Sequence, residues 1–360
     1  MMRVAIIARS TLYTVRGGDT VQAIQTASHL ADLGVLAEIK LTDEEVDYNS
    51  YDLLHFFNII RPADILYHSH KANKPYVVST ILVDYSEYDK LYRKGMGRLF
   101  SYLPGNSIEY IKTIARWLLG LDGMASPSYL WRGQRRSILH ILNKARMILP
   151  NSESEYKRVM QAYPSAVKYE VVPNGIDPKL FQYDANAERD ENLVICVARI
   201  EGIKNQLNLI KALNNTRFKL LLIGNHSPNQ QAYYNECRNI AAANIEFIDH
   251  LPQDDLVAYY QRANVHVLPS WFETTGLSSL EAATMGCNIV ITNKGDTREY
   301  FGDDAFYCNP ENPESIRAAI EQAASAEHQP ALRERILQKY TWAQAAKCTL
   351  AAYQQIVTQP

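Results

Sequence analysis

The chain has 360 residues, of which 47% are hydrophobic and 21% charged, and its net charge is −2; that length calls for two cores rather than one. No apolar run approaches the ~18 residues of a membrane span, and the opening MMRVAIIARS reads as a first buried strand rather than a signal peptide. A balance this even does not fit a nucleic-acid binder, which needs a strongly basic face, and five cysteines without a C-x-x-C pair read as free thiols of a reducing cytoplasm.

The first predicted strand is RVAIIA (3–8), and it runs into a loop ending in Gly17 and Gly18 ahead of a helix that stops near Gly34. Two readings stand for the glycine pair. It is either a tight turn, or a place where backbone N–H groups approach an anionic ligand. The spacing is not G-x-G-x-x-G, which argues against a dinucleotide-dependent dehydrogenase. Further apolar runs follow at YDLLHFF (51–57) and PYVVST (75–80), then RMILPN (146–151). Short Val/Ile/Leu runs separated by helical stretches predict parallel sheets covered on both faces. Asp84, just past PYVVST, is a candidate polar contact for an acceptor.

Between Lys90 and Arg146 lie eleven Lys/Arg residues against only Glu109 and Asp122, with Tyr92, Phe100, Trp117 and Trp131 interleaved. In IEYIKTIARWLL, an apolar stripe of Ile108, Ile111, Ala115 and Leu118 is flanked by Lys112 and Arg116. A basic amphipathic surface of this kind suits an anionic membrane face or a lipid-diphosphate acceptor, with Arg93, Lys94 and Arg98 as candidate contacts. The plainer alternative is a core-packing helix with a solvated basic face. Residues 1–172 hold 21 Lys/Arg and 17 Asp/Glu, and the remainder 16 and 22, so the halves are expected to face different partners.

The helix-like SESEYKRVMQAY (152–163) is followed by VVPNGIDPKLFQYDANAERDEN, a polar stretch with an Asn-Gly pair that marks a domain junction. Beyond it come LVICVAR (193–199), FKLLLIG (218–224), IEFIDH (245–250), VHVLPS (265–270) and CNIVIT (287–292). Ligands of open α/β sheets bind at the carboxyl ends of the strands, so the loops after these runs are where chemistry is expected. Arg199 ends one strand and Lys204 follows near a helix start, where cations are unfavourable to the helix dipole. A phosphate held between them resolves that conflict, and two solvated surface charges are the alternative. Gly224 ends the next strand. The backbone of His250 and Leu251, in DHLP, is placed to meet a planar base, although the His250 side chain reads as an ordinary loop histidine. In WFETTGLSSLE, Glu273 and Glu281 stand on either side of a helix start whose expected N-cap is Thr275 or Ser278. A carboxylate at 281 can accept hydrogen bonds from both vicinal hydroxyls of a ribose.

VARIEGIKN, LIGN, FIDHLPQDDL and VLPSWFETTGLSSLEAATMGCNIVIT together resemble the donor domain of retaining GT-B glycosyltransferases of the family 4 type. The resemblance covers most of residues 171–345 in the right order, with the two glutamates separated by seven residues as its most specific signal. GGDTVQAIQTASHLADLG resembles the family's glycine loop and first helix, and YTWAQAAKCTLAAY its cross-over helix. What the resemblance implies is a GT-B fold, with two Rossmann-like, doubly wound parallel-sheet domains facing across a cleft. Residues 1–171 would bind the acceptor and 172–344 the donor, with a C-terminal helix from about 345 to 360 packing back on the first domain. Arg199 and Lys204 would hold the donor diphosphate and Glu281 the ribose. Glu273 with the Gly276–Leu277 backbone would contact the donor sugar or phosphate. Thr274 and Thr275 stand where the family carries Gly and an aromatic residue, so the resemblance does not extend to the identity of the sugar.

The expected activity is therefore transfer, with retention, from a nucleotide sugar to a glycan, lipid-linked or of the lipopolysaccharide type, by a cytoplasmic enzyme peripheral to the membrane. No strict D-x-D occurs in the chain, so no metal and no cofactor beyond the nucleotide-sugar co-substrate is expected. The rival readings are a GT-B-type epimerase or phosphorylase, and a catalytically silent sugar-nucleotide-binding subunit of a polysaccharide-synthesis complex.

Overall fold

The computed structural model describes residues 1–15, 17–84, 88, 105–118 and 126–357. The chain divides into two compact units: Met1–Leu82, Lys94–Asn174 and Trp342–Pro360 form one, Val83–Arg93 and Gly175–Thr341 the other.

The first unit is built on a parallel sheet of β1 (Arg3–Ala8), β2 (Leu36–Leu41), β3 (Leu53–Phe57), β4 (Tyr76–Ser79) and β5 (Met147–Ile148), in the order β2-β1-β3-β4-β5. β3 and β4 are buried along their whole length, as strands must be when helices cover both faces of a sheet. The helix Gly18–Asp32 packs against the C-terminal helix Trp342–Val357, and the helix Pro62–Ala72 against Pro127–Lys144.

The C-terminal helix begins at Trp342, earlier than the sequence suggested. Trp342, Ala345, Ala346, Thr349, Ala352, Tyr353 and Ile356 are its buried residues, a stripe at helical spacing that must include Trp342 to be complete. Its anchor is polar. Tyr353 Oη lies 2.7 Å from Nδ1 of His55 on β3, and His55 Nε2 lies 2.9 Å from Ser79 Oγ on β4. Burial pushes the imidazole down to about 3. It is therefore neutral, with one donor and one acceptor nitrogen to satisfy both hydroxyls.

The exits of β4 and β5 are held by one carboxylate. Glu155 is fully buried and accepts from Thr80 Oγ1 at 2.5 Å and from the backbone N–H groups of Leu82 and Asn151 at 2.8 Å each. Between them Ile81 sits at φ 45, a left-handed conformation that a β-branched residue adopts only where its surroundings impose it.

The second unit holds β6 (Asp190–Val197), β7 (Lys219–Ile223), β8 (Ile245–Ile248), β9 (Ala263–Leu268), β10 (Asn288–Thr292) and β11 (Phe306–Cys308). They form one parallel sheet in the order β11-β10-β9-β6-β7-β8. Counted within the unit, this is the doubly wound nucleotide-binding order, with its switch point between β6 and β9. β9 and β10 are wholly buried.

Two strands had no counterpart among the apolar runs of the sequence. β2 has no fully buried residue and β11 is three residues long. Both are sheet edges, where one side lacks a neighbour.

Replacing Tyr353 by Phe removes the hydroxyl while keeping the ring, and leaves a buried imidazole nitrogen unpaired. The expected cost is about 1–3 kcal/mol, read as a lower urea midpoint for the transition of the first unit. An unchanged midpoint would show that the His55 contact does not anchor the helix.

Candidate active site

At the switch point of the second sheet the loops following β6 and β9 diverge and leave a crevice between them. These two loops are tied together from below. Asn205 adopts φ 62, a left-handed conformation that asparagine tolerates better than most residues. Its buried side-chain amide donates to Pro269 O at 3.0 Å, in the loop after β9, and to Pro310 O at 2.7 Å, in the loop after β11. Trp271 N adds a bond to Ile203 O at 2.9 Å.

Pinned in this way, the short turn Gly202–Lys204 aims Lys204 at the β9 loop. Lys204 Nζ donates to Glu273 Oε2 at 2.7 Å, and Ser270 Oγ donates to the same oxygen at 3.0 Å. The side chains of Lys204 and Glu273 are 21% and 10% exposed, so the pair is half-sheltered and water still reaches its edge. Oε1 of Glu273 has no partner among the described residues.

The backbone of Glu273 is fixed as well. Glu273 N donates to Lys294 O at 3.3 Å and Asp296 N donates to Glu273 O at 2.9 Å. Gly295, at φ 96, is required there, because a Cβ would lie 2.0 Å from Glu273 O.

The helix Leu277–Thr284 starts beside this carboxylate. Its N-cap is neither Thr275 nor Ser278 but Gly276, at φ 75 and ψ 60, with no side-chain cap. The left-handed turn favours glycine, and a Cβ there would meet Ile291 Cδ1 at 3.0 Å. Consequently no side chain caps the first N–H groups of the helix; Ser279 N donates to Gly276 O at 2.8 Å, and the partial positive charge of the helix start lies beside Glu273.

Glu281 lies in the second turn of the same helix and is buried, with Gln253 Nε2 donating to Oε1 at 2.7 Å and Tyr260 Oη to Oε2 at 2.9 Å. Burial pushes its carboxyl up to about 7, opposed by those two hydrogen bonds. The two glutamates are thus held by different means, one by a cation and the other by neutral donors.

Arg199 shares the β6 loop with Lys204 but is 42% exposed and paired with Glu201 at 2.9 Å. Gly224, at φ 146, allows the exit of β7 to lie against that of β6; a Cβ would come within 2.2 Å of Ala198 O. His250 is exposed, and its N–H donates to Asn225 Oδ1 at 2.9 Å, while Leu251 is half-buried. Asn225, His226 and Tyr234 line a cavity of about 290 Å³ nearby, in which the rings of His226 and Tyr234 stack at 4.3 Å.

In the first unit, Gly17 is the N-cap of the helix Gly18–Asp32. The start of that helix is braced by Arg9, which donates to both oxygens of Asp19, at 2.6 Å through Nε and 3.1 Å through Nη2. Asp84 is exposed. Arg93, Lys94 and Arg98 lie outside the described residues. Asn205, Ser270, Gly295, Gln253 and Tyr260 were not singled out from the sequence. Only the glycine and the asparagine carry a local signal, a residue suited to positive φ; the others act through partners distant in the chain.

The family model described as glycosyl transferases group 1 matches residues 180–340. Glycogen synthase of Mycobacterium tuberculosis is 28% identical over 203 residues, covering 53% of this chain and 49% of that protein. The chain thus spans about half the length of the curated relatives it matches. Among solved structures, sucrose-phosphate synthase of Thermosynechococcus elongatus superimposes with a TM-score of 0.76 at 17% identity over the full length of both chains. Anabaena HepE, solved in complex with UDP, has a TM-score of 0.69 at 15% identity, covering 98% of this chain and 100% of that one. Two doubly wound parallel-sheet units and these neighbours establish the GT-B fold expected from the sequence.

The raised carboxyl of Glu281 has a consequence for stability. Its folded value of about 7 lies above the 4.5 of the unperturbed group, so its contribution is fully present below 4.5 and is lost as pH rises through 7. The loss is of order 3 kcal/mol at about 1.4 kcal/mol per pKa unit. Glu281→Gln removes the titration. Urea unfolding at pH 5 and pH 8 should show the stability difference between the variant and wild type shifting toward the variant at pH 8. The same difference at both values would place the carboxyl at its ordinary pKa.

Proposed function

Because residues 180–340 belong to the glycosyl transferases group 1 family, we propose that this protein transfers a glycosyl group from a nucleoside diphosphate sugar to a glycan acceptor, with retention at the anomeric carbon. The observation that carries this reading is the meeting of Lys204 and Glu273 at the β6/β9 switch point, beside the uncapped start of the helix Leu277–Thr284. Cation and helix N-terminus both favour an anion there, and the UDP bound to the similarly folded HepE supports a nucleotide as that anion.

The chemistry follows from charge. As the bond between the anomeric carbon and the phosphate oxygen breaks, negative charge grows on the diphosphate. Lys204, Arg199 and the helix N–H groups stabilise that charge more than they stabilise the bound donor. The acceptor oxygen bonds to the anomeric carbon, and its proton passes to the departing phosphate oxygen. Neither a general base nor a metal ion is required. Glu273, with Oε1 available, takes a hydroxyl of the donor sugar, with the Gly276–Leu277 backbone alongside. Glu281 takes the ribose hydroxyls once ionised, and the backbone of His250 and Leu251 near Gly224 takes the base. Gly17 and Gly18 of the first unit contribute backbone to the donor, and Asp84, in the Val83–Arg93 segment of the second unit, contacts the acceptor.

We place the acceptor at a lipid surface on the cytoplasmic side of the membrane. Among the described residues no helix is long and apolar enough to cross a bilayer, so association would be peripheral. Trp131 is 91% exposed beside the exposed Arg132, and Ile111 on the helix Gly105–Leu118 is 42% exposed. An aromatic ring with adjacent cations is the composition of an interfacial anchor. The family match and the names of the relatives favour transfer over epimerisation.

Incubation with labelled sugar nucleotides should give transfer, or slow donor hydrolysis, in the presence of EDTA. The product should keep the donor's anomeric configuration by NMR. Inverted configuration, or activity lost to EDTA and restored by Mg²⁺, would refute the mechanism; tight binding without turnover would point to a silent binding module.

Vesicle sedimentation tests the membrane reading. The protein should pellet with anionic vesicles at low salt and release as salt rises, since each cation near such a surface contributes about 1 kcal/mol. The double substitution Trp131→Ala with Arg132→Ala should leave more protein in the supernatant. If the wild type never pellets, the acceptor is soluble.

A further inference from the structure

We infer that the first unit carries a second anion site, a groove at the start of β5 built to hold a phosphate ester. This does not rest on the transferase reading. The end of the helix Pro127–Lys144, the first residue of β5, the segment 166–168 and the C-terminal helix enclose a cavity of about 300 Å³. That is the lower end of the size range of small-molecule sites.

Its floor is apolar and closed, with Leu142, Met147 and Ile356 all buried. Above the floor stand Arg146 and Lys168, both exposed. Neither enters an ion pair among the described residues, and no Asp or Glu lines the cavity. Asn143 adds an amide: its Oδ1 accepts from Ser165 Oγ at 3.1 Å, which leaves its NH2 group as a donor.

From residue 123 to 170 the chain has eight Lys/Arg against Glu153, Glu155 and Glu170; none of the three lines the cavity, and Glu155 is fully buried, bound to the exits of β4 and β5. Arg146 and Lys168 line one groove that holds no carboxylate, so a dianion bound there is attracted by both. A phosphate matches the chemistry better than a carboxylate, because it offers up to two charges and three acceptor oxygens to a guanidinium fork and a mobile ammonium. The apolar floor then accommodates the carbon side of the ester.

The groove is also in the wrong place for catalysis. It lies where the chain enters β5, whereas α/β sheets place their reactive ligands at the opposite, carboxyl ends of the strands. It is therefore a docking or regulatory site. A phosphate ester can come from a phospholipid headgroup or from a soluble metabolite, and the two sources are separable.

The test titrates the full chain with glycerol phosphate by calorimetry, and separately sediments it with phosphatidylglycerol and phosphatidylcholine vesicles. The variant Arg146→Glu with Lys168→Glu reverses two exposed charges. It should weaken glycerol phosphate binding roughly tenfold or more, since charge-assisted bonds are lost. The control Arg217→Ala with Lys219→Ala, exposed charges of the second unit, should leave that binding unchanged. Loss of both glycerol phosphate and phosphatidylglycerol binding in the charge-reversed variant supports the site with a headgroup as its ligand. Loss of glycerol phosphate binding alone supports it with a soluble ester. If the charge-reversed variant matches wild type with both probes, or the control abolishes glycerol phosphate binding, the groove is not a phosphate site. Trp131→Ala with Arg132→Ala, losing vesicles but keeping glycerol phosphate, separates the membrane anchor from the groove.

Discussion

The geometry of the second unit depends on one buried amide. Asn205 donates to carbonyls in the loops after β9 and β11 while its own backbone sits in the loop after β6. Three strand exits are thereby fixed relative to one another by a side chain that is 3% exposed. An ordered loop has to overcome roughly 1–2 kcal/mol of conformational entropy per residue, and a residue bonded on both sides spreads that cost over three loops. Lys204 precedes Asn205 directly, so whatever fixes the asparagine also fixes the root of the lysine. The Lys204–Glu273 contact follows from this clamp.

The crevice is electrostatically mixed. An uncapped helix N-terminus and Lys204 attract negative charge, yet Glu273 is itself negative and sits between them. In the absence of an anion, the carboxylate neutralises the lysine and spares it a half-buried, unpaired state. On the proposed function, a diphosphate entering the site would compete for the same ammonium and release Glu273 toward whatever lies beside its Oε1. A single ion pair thus makes the empty site stable and leaves its carboxylate available to a ligand. Gly276 and Gly295 make this possible, because a side chain at either would collide with its surroundings or distort the backbone of Glu273.

Much of this was legible in the sequence, and the parts that were not have physical causes. Of the two strands missed, β2 has no fully buried residue and β11 is three residues long; an edge position alone does not hide a strand, since β5 and β8 are edges too and were read. Arg199, Lys204 and Glu273 could be picked out because they occupy strand exits, which topology marks as sites. Ser270, Gln253 and Tyr260 could not, because each acts only through a glutamate reached by folding, and Gln253 and Tyr260 are 28 and 21 positions from Glu281. The N-cap was misread for a different reason. Thr275 and Ser278 satisfy the usual preference for a capping hydroxyl, but the chain must turn through a left-handed conformation at 276, and the glycine that allows the turn takes the cap position without filling it.

The same residue type serves at 273 and 281 under opposite environments, and this separates what the two can do. Glu273 is at the edge of water with an ammonium 2.7 Å away. Glu281 is enclosed, held only by an amide and a phenol, and its carboxyl is raised to about 7. Placing like carboxylates in unlike environments is a recurrent means of giving identical groups different roles. Glu281 is an acceptor for neutral donors, and Tyr260 and Gln253 are already such donors. A diol replacing or joining them changes no net charge in the pocket. Glu273 is coupled to charge, so its position answers to any anion bound at Lys204. On the proposed function, recognition of a neutral part of the ligand and response to its charged part would fall to two turns of one short helix and the loop that leads into it.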